Sequence, residues 1–340
     1  MSRREIMSSA SLAAAARNAL RSYSIATGAS SLRDVGNNGG FSGARLWRVE
    51  TSGRQLCLRA WPAGGTTPER LRILHELMKR ARESGLAYVP GVFAAADGTT
   101  ATEHAGRLWE LTDWLPGKAD FHDRPTTPRL EAACAALARL HTAWAGGSAE
   151  YAPCPAVLRR IGRAREWLDC LATGWQPDFR TVENEVIRPA AEQLWRLLQG
   201  QVERIPLLLQ AWAQRSLPLQ PCLSDVWHDH VLYIDERVTG LIDYGSVRVD
   251  HVTADLARLL GSLVGDDAEQ RQAGLRAYGA IRALPLEHES IVDLLDRTGT
   301  VLAAANWLMW LYREGRSFED PGAVGRRLAT LVERIERRRL

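Results

Sequence analysis

Asp225, His230 and Asp243 bracket one short stretch of this 340-residue chain, and each is a potential metal ligand or base. Between them lie two apolar runs, Val231–Ile234 and Val238–Ile242, joined by the polar turn Asp235-Glu236-Arg237. That pattern reads as a β-hairpin, with Asp225 and His230 on the way in and Asp243 on the way out. A hairpin fixes two carboxylates relative to each other, as a divalent cation and a phosphoryl group in transfer require. An ordinary surface hairpin with acidic ends meets the same bare description. The two histidines of Trp227-His228-Asp229-His230 share one face in extended backbone, and no third ligand accompanies them, which argues against a zinc site.

The spacing adds to this. Asp225 is followed five positions later by His230, and thirteen after that by Asp243-Tyr244-Gly245. This resembles the Asp-x-x-x-x-Asn loop and Asp-Phe-Gly turn of the protein-kinase-like fold. It resembles more closely the aminoglycoside phosphotransferase and choline kinase family. There the run reads His-Gly-Asp-Leu-His-Pro-Gly-Asn-Val-Leu, a strand pair, then Ile-Asp-Phe-Gly. Asp225, Val231, Leu232, Ile242, Asp243 and Gly245 fall in register, whereas Leu223 stands at the leading His and His230 at the metal-binding Asn. Asp255 follows in Ala254-Asp255-Leu256-Ala257, similar to the family's Asp-Leu-Ala helix start, where the aspartate braces the catalytic loop.

The resemblance implies an α+β, protein-kinase-like fold of two lobes, the small one β-rich and the large one mainly helical. It implies ATP, or another purine nucleoside triphosphate, with Mg2+ or Mn2+. Asp225 is then the catalytic carboxylate that takes or orients a hydroxyl proton. Asp243 and His230 are the metal ligands, and an imidazole favours Mn2+ over Mg2+.

The elements that must position these residues are legible in outline. A short amphipathic helix is expected within an extension over 1–30. From 31 to 115 the texture is strand-like: Val35, Ala44–Thr51 and Gln55–Trp61, a helix capped by Thr67 with Pro68 first, then Val89–Ala94 and Leu108–Leu115. Pro116-Gly117 breaks the pattern, and 116–340 is mostly helical. This gives an N-terminal extension, a nucleotide-binding N-lobe and a C-lobe with the catalytic loop, a helical insert and the acceptor site.

In the N-lobe, the glycine-rich turn Asn37–Gly43 offers Gly39, Gly40, Ser42 and Gly43 as a phosphate cradle, or is a plain hairpin loop. Strand alternation puts Cys57 and Arg59 on one face. The resemblance makes Cys57 line the adenine pocket and Arg59 reach the phosphates in place of a lysine. Glu76, with Glu69 as competitor, is the helix carboxylate expected to orient Arg59. Trp114-Leu115-Pro116-Gly117 looks like the hinge, with the backbone of Glu110–Thr112 facing adenine. Trp307, Trp310 and Glu314 share a helical face that can bind a cationic amine or simply pack a core, with Glu319 and Asp320 nearby.

Composition narrows the classes. A net charge of +3 is too small to imply nucleic acid or a membrane surface, and no stretch approaches the ~18 uninterrupted apolar residues of a membrane span. Arg17 interrupts the Ala run near the start, which speaks against a signal peptide. Five scattered cysteines suggest reduced thiols in a cytoplasm. The expected partners are a nucleotide and a small-molecule acceptor. Lys79 and Lys118 are the only lysines, so none is available in the strand where a kinase places one. Two readings follow: an ATP-dependent phosphotransferase acting on a hydroxyl of a small polar molecule, or a kinase-like protein binding nucleotide or a small ligand in a regulatory role. The second rests on Arg59, Leu223 and His230, the three departures.

Overall fold

The computed structural model describes residues 9–26, 28–36, 43–147, 150–182, 184–318 and 320–340. In chain order the elements begin with α1 (Ser9–Arg21), β1 (Ser31–Gly36), β2 (Arg45–Thr51), β3 (Arg54–Ala60), α2 (Pro68–Glu83), β4 (Val92–Phe93), β5 (Thr102–His104), β6 (Arg107–Asp113) and α3 (Thr127–Trp144). Next come β7 (Glu150–Pro153), α4 (Pro155–Ala172), α5 (Ile187–Leu198), α6 (Arg204–Ala213), β8 (Ser216–Cys222), β9 (Val231–Ile234) and β10 (Arg237–Leu241). The last are β11 (Arg248–Asp250), α7 (Thr253–Leu263), α8 (Ala268–Gly279), α9 (Leu286–Leu308) and α10 (Pro321–Arg337).

Two compact units result: Met1–Asp120 with Asp229–Gly245, and Phe121–His228 with Ser246–Leu340. The first is built on an antiparallel sheet of order β1-β2-β3-β6-β4, with β5 also on β6. Alternation in β3 buries Leu56, Leu58 and Ala60 against Trp47, Val49, Trp109 and Leu111, and Leu12, Ala16 and Ala19 of α1 pack into the same core with Tyr23 just beyond the helix. Tyr23 donates its hydroxyl to the Trp109 carbonyl at 3.1 Å, so the N-terminal helix is tied to the sheet centre. Thr67 caps α2 as its sequence predicts, its side chain accepting from Arg70 N at 3.2 Å.

The hairpin β9–β10 belongs with this sheet-bearing unit, although the sequence places it in the helical part. Backbone bonds attach it: Lys118 and Tyr233 exchange two, at 3.0 and 2.9 Å, and Leu241 N donates to Tyr88 O at 2.8 Å. The approach at Gly117 (φ +109°) tolerates no side chain, because a Cβ would lie 2.4 Å from Thr239 Oγ1 and 2.8 Å from Tyr233 O. Glycine is required there both for the dihedral and for the space.

The second unit is helical around α9, with α4, α5, α7 and α10 against it. It also contains a three-stranded sheet, β11-β8-β7, absent from the sequence reading. β8 holds Pro218 and Pro221, which argue against a strand in sequence. Each proline sits on a length of β8 with one paired neighbour, Tyr151 for Pro218 and Val249 for Pro221, so its missing N–H can face an open flank.

At the β11–α7 junction His251 is buried, with Nδ1 2.7 Å from Thr253 Oγ1 and its ring 4.9 Å from that of His288. Burial, helped by His288, pushes its pKa down to about 3. The unfolded chain takes up this proton near the ordinary value of about 6.5 and the folded chain does not. Stability therefore falls as pH drops from about 6.5 towards 3, by up to about 1.4 kcal/mol per pH unit from this group. Urea unfolding at pH 7 and pH 5 should show a smaller loss for His251→Gln than for the parent. Equal losses would contradict this.

Candidate active site

The hairpin turns two side chains towards each other. Leu241 pairs with Val231, and Ile242 N donates to His230 O at 3.0 Å, so His230 and Asp243 leave the ladder as neighbours. His230 Nε2 lies 3.8 Å from Asp243 Oδ2. The hairpin thus opposes His230 to Asp243. Asp243 adopts φ +61°, an uncommon conformation for a residue with a side chain, of the kind found at functional sites.

Arg59 completes this cluster. Its Nη1 donates to Asp243 Oδ1 at 3.1 Å, the oxygen that also accepts from Gly245 N at 3.3 Å. The guanidinium stands 4.1 Å from the Trp61 ring centroid, and a Cβ on Gly245 would come within 3.0 Å of that ring. Burial pushes the Asp243 carboxyl up, but Arg59 and then His230 outweigh it and hold the group below its usual range. Burial opposes the charge on Arg59 in turn, and Asp243 and Glu110 more than restore it. Arg59 Nε is buried without a hydrogen-bond partner among the described residues, a donor still to be satisfied.

The carboxylate beside Arg59 within the sheet is Glu110, its direct cross-strand neighbour. Glu110 Oε2 lies 2.7 Å from His75 Nε2, and His75 Nδ1 lies 2.7 Å from Thr100 Oγ1. Neither predicted helix carboxylate takes part. Glu76 is on the exposed face of α2, and Glu69 is bound to Arg72 at 2.8 Å. One residue of helical phase separates the expected Glu76 from the observed His75. Glu110–Thr112, whose backbone the sequence reading turns towards adenine, are residues of β6. These residues are in mid-sheet, Arg59↔Glu110 and Cys57↔Thr112 on one flank and Val92↔Thr112 on the other, so the ladder takes up their N–H and C=O groups. Cys57 shares the Arg59 face as alternation requires, but burial pushes its thiol up to about 12, leaving it a small apolar group. Gly39, Gly40 and Ser42 lie outside the described residues; Gly43 has φ +73°.

Asp225 belongs to the second unit. The loop entering it is held by Asp255, whose carboxylate accepts from Leu223 N and Ser224 N, both at 2.6 Å, and lies 3.0 Å from His141 Nε2. His141 Nδ1 in turn lies 2.8 Å from the Tyr278 hydroxyl. His141, Asp255 and Cys222 are close enough to share a cation, but His141 and Asp255 are already hydrogen-bonded through both ring nitrogens and both oxygens. Asp225 itself is half-exposed and accepts from Arg258 Nη2 at 3.1 Å and Nε at 3.3 Å. Sequence reasoning missed Arg258, three residues after Asp255 and so near it on α7.

The candidate acceptor residues Trp307, Trp310 and Glu314 do not form one α-helical face. α9 passes into a π-helical turn, Met309–Arg313, which breaks the 3.6-residue period. Trp307 is buried and packs at 5.2 Å against Trp310 and 5.1 Å against Phe318. The chain supplies its own cation here: Arg316 stands 4.7 Å from the Trp310 ring and donates to Glu314 at 2.7 Å. Glu319 lies outside the described residues.

A family model described as "Phosphotransferase enzyme family" matches residues 35–289. The chain belongs to that family. Homoserine kinase of Acidiphilium cryptum is 27% identical over 215 residues, 61% of this chain and 60% of that protein, so the chain spans less than two thirds of this relative's length. Among solved structures, spectinomycin phosphotransferase in complex with ADP and spectinomycin superposes with a TM-score of 0.66, at 11% identity, over 90% of this chain and 92% of that one. An aminoglycoside phosphotransferase from Alicyclobacillus acidocaldarius gives 0.61, at 16% identity, over 94% and 93%. The fold is thus the protein-kinase-like fold of aminoglycoside phosphotransferases.

Proposed function

We propose that this protein is an ATP-dependent phosphotransferase that phosphorylates a hydroxyl of a small polar molecule. The observation that carries the reading is the Asp243 cluster: a carboxylate held ionised, opposed by an imidazole and bound by a buried arginine with one donor to spare. A carboxylate oxygen and a ring nitrogen at this spacing suit a divalent cation, and Arg59 Nε suits a phosphate oxygen. Asp243 and His230 would hold the metal, which neutralises phosphate charge when bound. Arg59 would grip the nucleotide's phosphates, oriented by Glu110 and His75. Asp225 would accept the proton of the acceptor hydroxyl. The names of the homoserine kinase relative and of the ADP-bound neighbour favour turnover over a regulatory role without it.

Thermal-shift measurements with ATP, GTP and their absence, in Mg2+, Mn2+ or EDTA, test this reading. A rise in the unfolding midpoint is expected only with nucleotide and metal together. No shift with either nucleotide in either metal would contradict it.

His230 gives a sharper expectation. With a nitrogen ligand the metal site should favour Mn2+ over Mg2+, measured as the ratio of ATP affinities. His230→Asn should restore Mg2+ preference, because an amide oxygen is a hard donor. The same metal ratio in both proteins would exclude His230 as a ligand.

A further inference from the structure

Within the first unit, Arg59 and the turn at Asp243 converge on the indole of Trp61. Trp61 follows β3 by one residue, on the face of Cys57 and Arg59 by alternation. The Arg59 guanidinium stands over its ring, 4.1 Å from the centroid. Gly245 approaches the same ring so closely that a Cβ there would lie 3.0 Å from Cη2 and 3.3 Å from Cζ3. Gly245 has no positive φ, so space and not backbone conformation calls for glycine at that position. The indole is fixed in its turn. Trp61 is 8% exposed, its backbone N donates to Leu108 O at 2.9 Å, and its carbonyl accepts from Arg107 Nη1 at 3.2 Å. Its Nε1 is buried without a hydrogen-bond partner among the described residues, so packing alone places the ring. That orphan donor is a cost a phenyl ring in the same place avoids. The indole, however, offers the strongest π face to a cation.

We infer that Trp61 is the positioning residue for Arg59, and that its indole face is what fits an arginine, in place of a lysine, to the phosphates of the nucleotide. A guanidinium is planar and stacks on an aromatic face, whereas an ammonium is a compact, strongly hydrated charge on a flexible stem. Arg59 is stacked on Trp61 and bonded through Nη1 to Asp243 Oδ1, so its plane is held from two sides and its unpartnered Nε keeps its direction. A phosphate oxygen then meets a donor already oriented, and less side-chain freedom is lost on binding. The bond to Asp243 competes with a cation for the same carboxylate, and the indole does not. Trp61 is therefore the support that remains to Arg59 once metal is bound. This inference rests on the phosphotransferase reading and adds to its nucleotide site a residue that acts through Arg59.

The test is calorimetric titration of the full chain with ATP and with adenosine, in Mg2+ or Mn2+. Trp61→Leu should weaken ATP about tenfold and leave adenosine within about twofold, since the grip on phosphate is lost and not that on the base. Trp61→Phe should cost only about threefold, a smaller aromatic face serving in place of the larger. In the Arg59→Met background Trp61→Leu should cost no more than about twofold, because no guanidinium is left to hold. Should Trp61→Leu fail to fold, the same cycle with Trp61→Phe decides, its loss expected to vanish beside Arg59→Met. The inference is overturned if Trp61→Leu keeps the affinity for ATP, if ATP and adenosine weaken alike, or if the loss persists in full beside Arg59→Met. Trp61→Phe as weak as Trp61→Leu overturns it too, by assigning the effect to the indole N–H. ATP titrated into the parent separates the two claims: no binding there strikes the phosphotransferase reading, whereas binding indifferent to Trp61 strikes only the positioning role.

Discussion

Asp225→Asn is expected to reduce phosphoryl transfer by roughly 10²–10⁴-fold while leaving ATP affinity within about twofold, as removal of a positioned general base does. The amide has the shape of the carboxylate but cannot take a proton at neutral pH. The carbonyl oxygen of the amide can still accept from Arg258, so the loop held by Asp255 keeps its geometry. ATP affinity is spared because the residues proposed to bind nucleotide, Arg59 and Asp243, are bonded to each other, and a base acts on the acceptor rather than on ATP. Initial rates and calorimetry on the same preparation check both halves. An unaltered rate would remove Asp225 from the chemistry, and a loss of ATP affinity would assign it to the nucleotide instead.

Asp243→Ala is the second large effect. Affinity for ATP in the presence of metal should weaken at least tenfold, about 1.4 kcal/mol, since a hard-oxygen ligand is lost. One complication has a definite sign. The substitution also releases Arg59 from its bond to Asp243, and a freed guanidinium can grip phosphate without help from metal. The decisive quantity is therefore the ratio of ATP affinities with and without metal. In the parent that ratio should be large, and in Asp243→Ala it should approach one. A ratio that persists would place the metal elsewhere.

Much of this site is written in local pattern. Asp225, His230 and Asp243 stand out because a hairpin of alternating residues and a polar turn separates them, and β9 and β10 form as that pattern requires. Arg59 follows from alternation in one strand. What is not legible is the identity of its neighbours. Glu110 reaches Arg59 by cross-strand register, which no single segment specifies. His75 had a signal: Leu71, Leu74 and Met78 set a helical stripe, and position 75 falls on it while Glu76 does not. The preference for a carboxylate obscured that phase. The grouping of the hairpin with the first unit depends on the fit of Gly117 under Thr239 and on backbone bonds to Tyr88 and Lys118, long-range contacts without periodic trace. The small sheet through β8 is hidden by Pro218 and Pro221.

The central claim is that this chain moves the γ-phosphoryl group of ATP to an alcohol. Phosphorus NMR of the protein with ATP, Mn2+-supplemented Mg2+ and a panel of small polar alcohols observes that transfer directly. The account predicts conversion of the ATP signals to those of ADP together with a new phosphomonoester resonance, dependent on the acceptor and absent with Asp225→Asn. Nucleotide that binds yet stays intact, or is converted only to ADP and free phosphate at a rate indifferent to acceptor and to Asp225, would contradict it.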